Sequence, residues 1–149
     1  MIVVVEKQQI EVSVAKTEHQ LEDVYRVRRE VFVNEQGVCE SIEIDDKEQD
    51  AIHFIVYVQC VPAGAGRIRL LEGVAKVERV CVLQDYRKHG VGALLMEKME
   101  EVAEQKGVTK LSLNAQKHAE AFYKKTGYQT VSDTFYDAGI LHVRMEKEL

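Results

Sequence analysis

The sequence predicts a mixed α/β fold of the α+β kind, in which a mostly antiparallel sheet is flanked by helices. Three strand-like runs joined by short turns, over residues 51–58, 63–72 and 76–83, predict consecutive strands that pair antiparallel. Apolar residues at helical spacing predict a long helix over residues 90–106. The next strand, over residues 108–115, follows that helix, so we expect it to lie parallel to the strand before the helix.

The N-terminal part predicts one strand and one helix. Residues 9–16 alternate between apolar and polar side chains, as a half-buried strand does, and residues 1–5 either extend this strand or pair with it. Thr17 and Gln20 have the spacing of a capping box, which predicts the start of a helix that ends near residues 34–37. The side chains expected on its buried face are Leu21, Val24, Val27, Val31 and Phe32.

The C-terminal part completes the predicted order of elements. Gly107 is expected to cap the long helix in the left-handed conformation. A short helix over residues 117–126 and two strands over residues 129–138 and 140–148 follow. The predicted order is therefore β-α-β-β-β-α-β-α-β-β.

Composition excludes several classes of protein. The 149 residues fit one domain, residues 1–149, and the net charge of −5 without a basic stripe argues against a nucleic-acid partner. No run approaches the length of a membrane span, and the first residues lack the basic start of a signal peptide. Three cysteines without CxxC spacing argue against a disulfide framework or a zinc site, so we expect a cytoplasmic protein without a metal.

Residues 37–50 form a strongly acidic segment that permits several interpretations. The segment contains six carboxylates, Glu40, Glu43, Asp45, Asp46, Glu48 and Asp50. It is expected to be a solvated surface loop, although such a loop could also select a cationic substrate or bind a metal ion. The spacing of an EF-hand is absent.

The stretch RKHGVG, residues 87–92, stands where the third strand of the predicted meander leads into the long helix. Glycines let a ligand approach the backbone closely, and the first N–H groups of a helix attract anions. Basic side chains in the same turn add positive charge. The stretch therefore predicts a phosphate cradle; the alternative is a strand–helix junction that needs glycine for tight packing.

Several motifs together resemble the GNAT superfamily of acyl-CoA-dependent N-acyltransferases. RKHGVG matches the R/Q-x-x-G-x-G/A signature of that family, and VERVCVLQDYR, LNA and FYKKTGY look like its other motifs in the right order. The stretch RVRREVFVNEQ (residues 26–36), the acidic segment and His53 resemble the bacterial ElaA/YjcF-like subgroup. The resemblance covers the chain well from residue 51 onward.

The resemblance implies a sheet that is splayed at its centre, with the pantetheine arm of acetyl-CoA in the gap. The arm would pair with the backbone of the strand before the cradle. Asn114, at the end of the opposite strand, would bond the cofactor or serve only as a polar strand end. The cofactor-binding residues implied in this way are Val80, Cys81, Val82, Arg87, Lys88, His89, Gly90, Val91, Gly92, Ala93 and Asn114.

The resemblance also implies catalytic residues for direct acetyl transfer to an amine. Tyr123 occupies the place of the family's tyrosine and would protonate the leaving thiolate, which is uphill by only about 2 kcal/mol for ordinary phenol and thiol pKa values. Glu78 is expected to share a strand face with Val80 and Val82 by period two and to act as the base, with His53 or water as alternatives. No acyl-enzyme on a cysteine is expected.

The expected function is that of an acetyl-CoA-dependent N-acetyltransferase. The acceptor would be a small or lysine-like primary amine, and a homodimer is possible. A non-catalytic module that senses acyl-CoA is the alternative. A third interpretation, an enzyme similar to autoinducer synthases, is suggested by residues 28–32 but lacks the expected tryptophan in this segment.

Overall fold

The computed structural model describes residues 2–5 and 8–149, and within them the chain forms one nine-stranded sheet flanked by helices. The strands are β1 (Ile2–Val5), β2 (Gln8–Val14), β3 (Ile52–Val58), β4 (Val61–Leu71), β5 (Val74–Val82), β6 (Lys110–Gln116), β7 (Gln129–Thr130), β8 (Phe135–Asp137) and β9 (Ile140–Glu148). The predicted fold class is confirmed.

The helices are α1 (Glu18–Arg28), α2 (Glu40–Glu43), α3 (Val91–Gln105) and α4 (Glu120–Lys125), with a π-helix over Arg29–Glu35 and 3₁₀ turns over Gln84–Tyr86 and Lys117–Ala119. The predicted capping box is confirmed, because Thr17 and Gln20 each accept a hydrogen bond from the other's backbone N–H, both at 3.1 Å. Gly107 has the predicted left-handed conformation, with φ at 83°.

The strand pairing follows the predicted topology. The sheet order is β1-β2-β3-β4-β5-β6-β9-β7, with β8 also paired to β9. Strands β3, β4 and β5 form the predicted antiparallel meander, and β5 pairs parallel with β6. The first residues do pair with the first predicted strand, because β1 and β2 form an antiparallel hairpin.

The single strand predicted over residues 129–138 is wrong. β7 ends at Thr130 and β8 begins at Phe135, and both pair with β9. Between them, the backbone N–H of Arg144 on β9 donates to the hydroxyl of Ser132, at 2.8 Å, instead of to a strand carbonyl. A side chain thus replaces one ladder bond, and the strand is interrupted there.

Two apolar cores cover the two faces of the sheet. On the α3 face, α3 and α4 pack against strand residues such as Phe54, Val77 and Leu113. On the α1 face, α1 and the π-helix pack against Ile55 and Cys81 among others. No helix within the described residues is long and apolar enough to cross a membrane.

Candidate active site

A bulge in β5 places the side chains of the central strand. Arg67 on β4 lies opposite Glu78, whereas Ala65 lies opposite Cys81, so β5 holds one more residue than β4 between these pairs. The extra residue is Arg79, which has a positive φ of 59°. A residue in this conformation is typical of a bulge, although glycine is the usual occupant.

The bulge reverses the alternation of side chains along the strand. Val80 and Val82 pack against the core on the α3 face, and Cys81 belongs to the core on the α1 face. Val77 belongs to the α3 face, so its neighbour Glu78 lies on the α1 face. The prediction that Glu78 shares a face with Val80 and Val82 is therefore wrong, because period two does not hold across a bulge.

The centre of the sheet is open where β5 and β6 part. Their parallel pairing ends at Val77 opposite Leu113, and the last residues of the two strands do not pair with each other. A cavity of about 630 Å³ opens there, and Val80, Val82 and Asn114 are among the residues that line it. The splayed sheet expected from the resemblance is confirmed.

The backbone of Val82 faces this gap. The N–H of Leu83 donates to the carbonyl of Ala63 on β4 at 2.8 Å. Because successive residues of an antiparallel strand direct their backbone groups to opposite sides, the N–H and C=O of Val82 point away from β4. The Val82 carbonyl accepts a hydrogen bond from Nε of Arg87 at 2.9 Å. The Val82 N–H is thus available to a ligand in the gap.

The predicted phosphate cradle is a turn that ends in the N-terminus of α3. Lys88 and Gly90 both have positive φ, at 68° and 80°, and Gly90 is the N-cap of the helix. The first intrahelical bond runs from Leu94 N–H to the Gly90 carbonyl, so the preceding N–H groups have no partner within the helix. Lys88 and Gly90 are exposed. This geometry can hold a phosphate group.

The two glycines have different structural roles. A Cβ at Gly90 would meet no atom within 4 Å, so this glycine serves the left-handed turn. A Cβ at Gly92 would lie 3.2 Å from the ring of Phe122, so this glycine allows α3 to approach α4 closely. Tight packing therefore explains Gly92, and the turn conformation explains Gly90.

Arg87 is bound by protein groups. Its guanidinium donates two hydrogen bonds to the carboxylate of Glu35, at 2.7 and 2.6 Å, and Nε holds the Val82 carbonyl. Glu35 is the last residue of the π-helix. The side chain predicted to contact the cofactor thus connects the cradle, the end of β5 and the π-helix.

Tyr123 reaches the cavity from α4. Its side chain is buried, packs edge-on against the rings of Phe122 and Tyr128, and also lines the cavity. Burial, together with the nearby Cys81, raises the pKa of the Tyr123 phenol above its ordinary value. The phenol therefore stays protonated at neutral pH, but it is a weaker acid than an ordinary phenol, so proton transfer from it to a thiolate is more uphill than ordinary pKa values imply.

Glu78 lines the same cavity but is held by arginines. Arg67 and Arg69 donate to its carboxylate at 3.1 and 2.8 Å. Burial alone would raise the pKa of Glu78, but hydrogen bonds and charges of the two arginines outweigh burial and lower it. A carboxylate bound in this way is a weak proton acceptor.

The acidic segment is only in part the solvated loop that its composition suggested, because Glu43 and Glu48 are buried and Asp45 is half-buried. Arg28, fully buried in α1, donates to Glu43 at 2.9 Å and to Glu48 at 2.7 and 2.8 Å. Arg67, also buried, donates to both oxygens of Asp45 at 2.8 and 2.9 Å. We call these five side chains the ion cluster.

The ion cluster fixes the acidic segment over the α1 face. It uses three of the six carboxylates that had suggested a cationic ligand or a metal site, whereas Glu40, Asp46 and Asp50 are exposed. Arg79 at the bulge adds hydrogen bonds to Asp45 and to the carbonyls of Glu43 and Ile42. Among the described residues, no group of histidine, cysteine and carboxylate side chains has the arrangement of a metal site.

Of the two remaining predicted site residues, Asn114 lines the cavity and His53 does not. His53 lies beneath the ion cluster, where Nε2 donates to the Glu48 carbonyl at 2.8 Å and Nδ1 is enclosed without a partner. Burial lowers the pKa of His53, and the side chain is not among those that line the cavity. Asn114 is exposed on β6 and lines the cavity.

Two cavity residues had no signal in the sequence. Gln116 on β6 exchanges two amide hydrogen bonds with Gln36, at 2.8 and 3.0 Å, across the opening of the cavity. His142 lies directly opposite Gln116 on β9 and also lines the cavity. Neither belongs to a recognisable motif, because their roles depend on strand pairing between distant segments.

Comparisons with known proteins give one consistent result. The acetyltransferase (GNAT) domain family matches residues 6–149. The uncharacterized N-acetyltransferase YjcF of Bacillus subtilis is 46% identical over 136 residues, which cover 91% of this chain and 97% of YjcF. The crystal structure of Escherichia coli ElaA superposes with a TM-score of 0.82 at 26% identity, over 93% of this chain and 99% of that chain.

A third comparison concerns the fold alone. A GNAT family acetyltransferase from Elizabethkingia anophelis, with acetyl-CoA bound, superposes with a TM-score of 0.74 at 13% identity. The superposition covers 94% of this chain and 98% of that chain.

Proposed function

The chain belongs to the GNAT family of acetyltransferases, and we propose that it transfers the acetyl group of acetyl-CoA directly to a primary amine within a ternary complex. The observation that carries this proposal is the parting of β5 and β6 beside the N-terminus of α3. The gap accepts an extended arm, and the helix end accepts phosphate. Residues 1–149 would form a single acyltransferase domain.

The pantetheine arm lies in the gap and pairs with β5 in the manner of an added strand. The N–H of Val82 is the donor best oriented for it, and Val80 and Val82 present their side chains beside it. The backbone of Cys81 instead pairs with β4, so its contribution is limited to holding the strand. Asn114 borders the arm from the opposite strand.

The pyrophosphate lies at the start of α3. The N–H groups of Gly90, Val91, Gly92 and Ala93 point out of the helix end, and Lys88 adds an exposed positive charge. Arg87 and His89 border the same turn. Arg87 reaches phosphate only if it leaves Glu35.

Acetyl transfer needs stabilisation of the carbonyl oxygen and a proton for the leaving sulfur. The Val82 N–H supplies the first. Tyr123 supplies the second, because it is protonated and enters the cavity from the α4 side. Cys81 is not a nucleophile, since burial raises the pKa of its thiol to about 12. Glu78 is disfavoured as the base because Arg67 and Arg69 bind its carboxylate.

The acceptor is a small amine with an apolar body. The α1-face side of the cavity carries Phe32, Ile42 and Ile140. The carboxylates of the ion cluster are bound by arginines, so they do not attract a polycation. Cys39, Cys60 and Cys81 are free thiols, which supports a reducing, cytoplasmic location.

Calorimetric titration with acetyl-CoA tests the cofactor site. We expect micromolar binding to the native protein and loss of binding in Gly90→Glu, which puts a negative charge into the cradle. Gly73→Glu is a matched control, because Gly73 also has a positive φ, 69°, and open space around it. Equal loss in both variants would indicate unfolding rather than a cofactor site.

Release of free CoA in the presence of an amine panel tests turnover. A protein that binds acetyl-CoA but acetylates no amine would be the non-catalytic sensor instead. No binding to the native protein would refute the cradle.

A further inference from the structure

The proton acceptor of the proposed reaction has no candidate among the residues singled out in the sequence. Arg67 and Arg69 hold Glu78, and His53 lies away from the cavity. Glu43 also lines the cavity, but Arg28 and Arg79 bind its two oxygens at 2.9 and 3.1 Å. A base must have a free lone pair that reaches the substrate.

His142 has such a lone pair. Nδ1 lies 2.7 Å from the carbonyl oxygen of Ile140, and because a carbonyl can only accept, Nδ1 carries the hydrogen. The neutral ring therefore has its lone pair on Nε2. Nε2 makes no hydrogen bond within the described residues. The enclosed side-chain nitrogens and oxygens without a partner among the described residues are Ser13 Oγ and His53 Nδ1, so Nε2 of His142 is not enclosed, and His142 lines the cavity.

The surroundings hold the ring in this orientation. His142 is buried, with 8% of its surface exposed, and stacks on Phe135 with an angle of 22° between the rings. The Nδ1–H bond to Ile140 fixes the tautomer. This is the arrangement by which proteins keep one histidine nitrogen basic and aimed at a ligand.

His142 and Tyr123 approach the cavity from opposite faces of the sheet. Val143 belongs to the core on the α3 face, so its neighbour His142 lies on the α1 face. Tyr123 comes from α4 on the α3 face. An amine that enters from the α1 face is therefore near a base, and the sulfur that leaves toward the α3 face is near an acid.

We propose that His142 is the general base of the acetyl transfer, an assignment that rests on the proposed function. Nε2 accepts a proton from the amine nitrogen while the N–C bond to the acetyl carbon forms. The C–S bond then breaks, and the Tyr123 hydroxyl gives its proton to the sulfur. The proton on His142 returns to the Tyr123 oxygen through water, so both side chains regain their starting state.

The neighbours of His142 on the elements packed against it include both neutral and charged groups. Gln116, directly opposite on β6, is neutral. Asp137 lies on the paired strand β8, Lys117 and His118 lie on the adjacent 3₁₀ turn, and Arg144 lies two residues along β9. His118 is exposed and also lines the cavity, so it is the one other imidazole that needs a control.

The test uses O-methylhydroxylamine as acceptor, because it is a small primary amine, needs no specific recognition, and is so weakly basic that it stays neutral across the titration range of imidazole. CoA release is measured across the titration range of imidazole for the native protein, His142→Asn and His118→Asn. Asparagine keeps an N–H donor for the Ile140 carbonyl but has no ring nitrogen. We expect His142→Asn to lower kcat about 100-fold and to remove the rise of kcat with pH, without changing the Kd for acetyl-CoA.

Three results would overturn the assignment. If His142→Asn keeps the pH-dependent rise and a kcat close to that of the native protein, His142 is not the base. If His118→Asn removes the rise instead, His118 is the base. If the native protein binds acetyl-CoA but releases no CoA with O-methylhydroxylamine or any amine, the proposed transfer fails and the base assignment with it.

The nitrogen chemical shifts of the His142 imidazole give a readout that is independent of turnover. We expect a protonated Nδ1 and a bare Nε2 in the neutral ring of the native protein. A proton on Nε2 instead would also overturn the assignment, whatever the kinetics show.

Discussion

The guanidinium of Arg87 and the carboxylate of Glu35 form a two-bond pair, at 2.7 and 2.6 Å, between the phosphate-side turn and the π-helix. The π-helix contributes Val31 and Phe32 to the wall of the cavity. If Arg87 left Glu35 to bind a phosphate group, the π-helix would lose its contact with the cradle, and the cavity wall on the acceptor side would loosen. The two substrate sites would be coupled through one side chain.

The first prediction concerns this pair. Glu35→Gln removes the carboxylate that competes with phosphate for Arg87, so we expect CoA to bind up to about fivefold more tightly, since a half-exposed pair contributes at most about 1 kcal/mol. Calorimetry measures the Kd. Glu40→Gln, which breaks the exposed pair with Arg29, is the matched control. Unchanged affinity in Glu35→Gln would mean that Arg87 stays on the π-helix when CoA binds.

The second prediction concerns Tyr123. Tyr123→Phe removes the hydroxyl and keeps the ring, so we expect kcat to fall by about 100-fold or more while the Kd for acetyl-CoA is unchanged. Tyr128→Phe is the control, because Tyr128 packs on Tyr123 but donates its hydroxyl to Glu100, at 3.1 Å. Equal kcat losses in the two variants would indicate disturbed packing rather than a lost acid.

The third prediction concerns the ion cluster. Arg28→Ala leaves the buried carboxylates of Glu43 and Glu48 without their main partner, so we expect the free energy of unfolding to fall by about 3–5 kcal/mol. Arg26→Ala, in the same helix, removes an exposed side chain 3.9 Å from Asp23 and should cost less than about 1 kcal/mol. Urea unfolding measures both. Similar losses would show that Arg28 contributes no more than a surface residue.

The fourth prediction concerns acid stability. Burial opposes ionisation of Glu48, but hydrogen bonds from Arg28, the Asp45 N–H and Arg67 outweigh it and lower the pKa of Glu48 from 4.5 to about 2. Its ionised form therefore stabilises the fold fully above pH 4.5, and this contribution is lost as the pH falls toward 2.

Glu43 affects the pH dependence of stability in the opposite direction to Glu48, because burial raises the pKa of Glu43 despite the charges of Arg28 and Arg79. We expect the free energy of unfolding of the native protein to fall between pH 5 and 2, and to fall less steeply in Glu48→Gln, as measured by urea unfolding at each pH. If the free energy of unfolding falls equally steeply with decreasing pH in the two proteins, protonation of Glu48 does not contribute to the loss of stability in acid.

Local sequence patterns were sufficient for the elements and their order. The capping box at Thr17, the apolar stripe of α3 and the left-handed cap at Gly107 depend on residues close together in the chain, and all three are present. The meander and the crossover follow from short turns and from the handedness of strand–helix–strand units.

Features that depend on distant partners were not predictable. Glu43 and Glu48 resemble surface residues in the sequence, because the buried arginines that neutralise them lie on α1 and β4. The positive φ of Arg79 has no signal, since glycine would normally mark such a turn. The place of His142 in the cavity follows only from the pairing of β9 with β6.

The extra residue at position 79 makes β5 sensitive to length as well as to composition. If β5 kept its length but lost the bulge, every side chain after Arg79 in the strand would turn to the other face, so Cys81 would point toward α3 and Val82 would point toward α1. Removal of Arg79 would instead restore regular pairing and leave both side chains on their present faces. In an alignment of related chains, we therefore expect a difference in length between Glu78 and Val82 to be the loss of one residue and not the gain of one, even where the amino acids themselves have diverged.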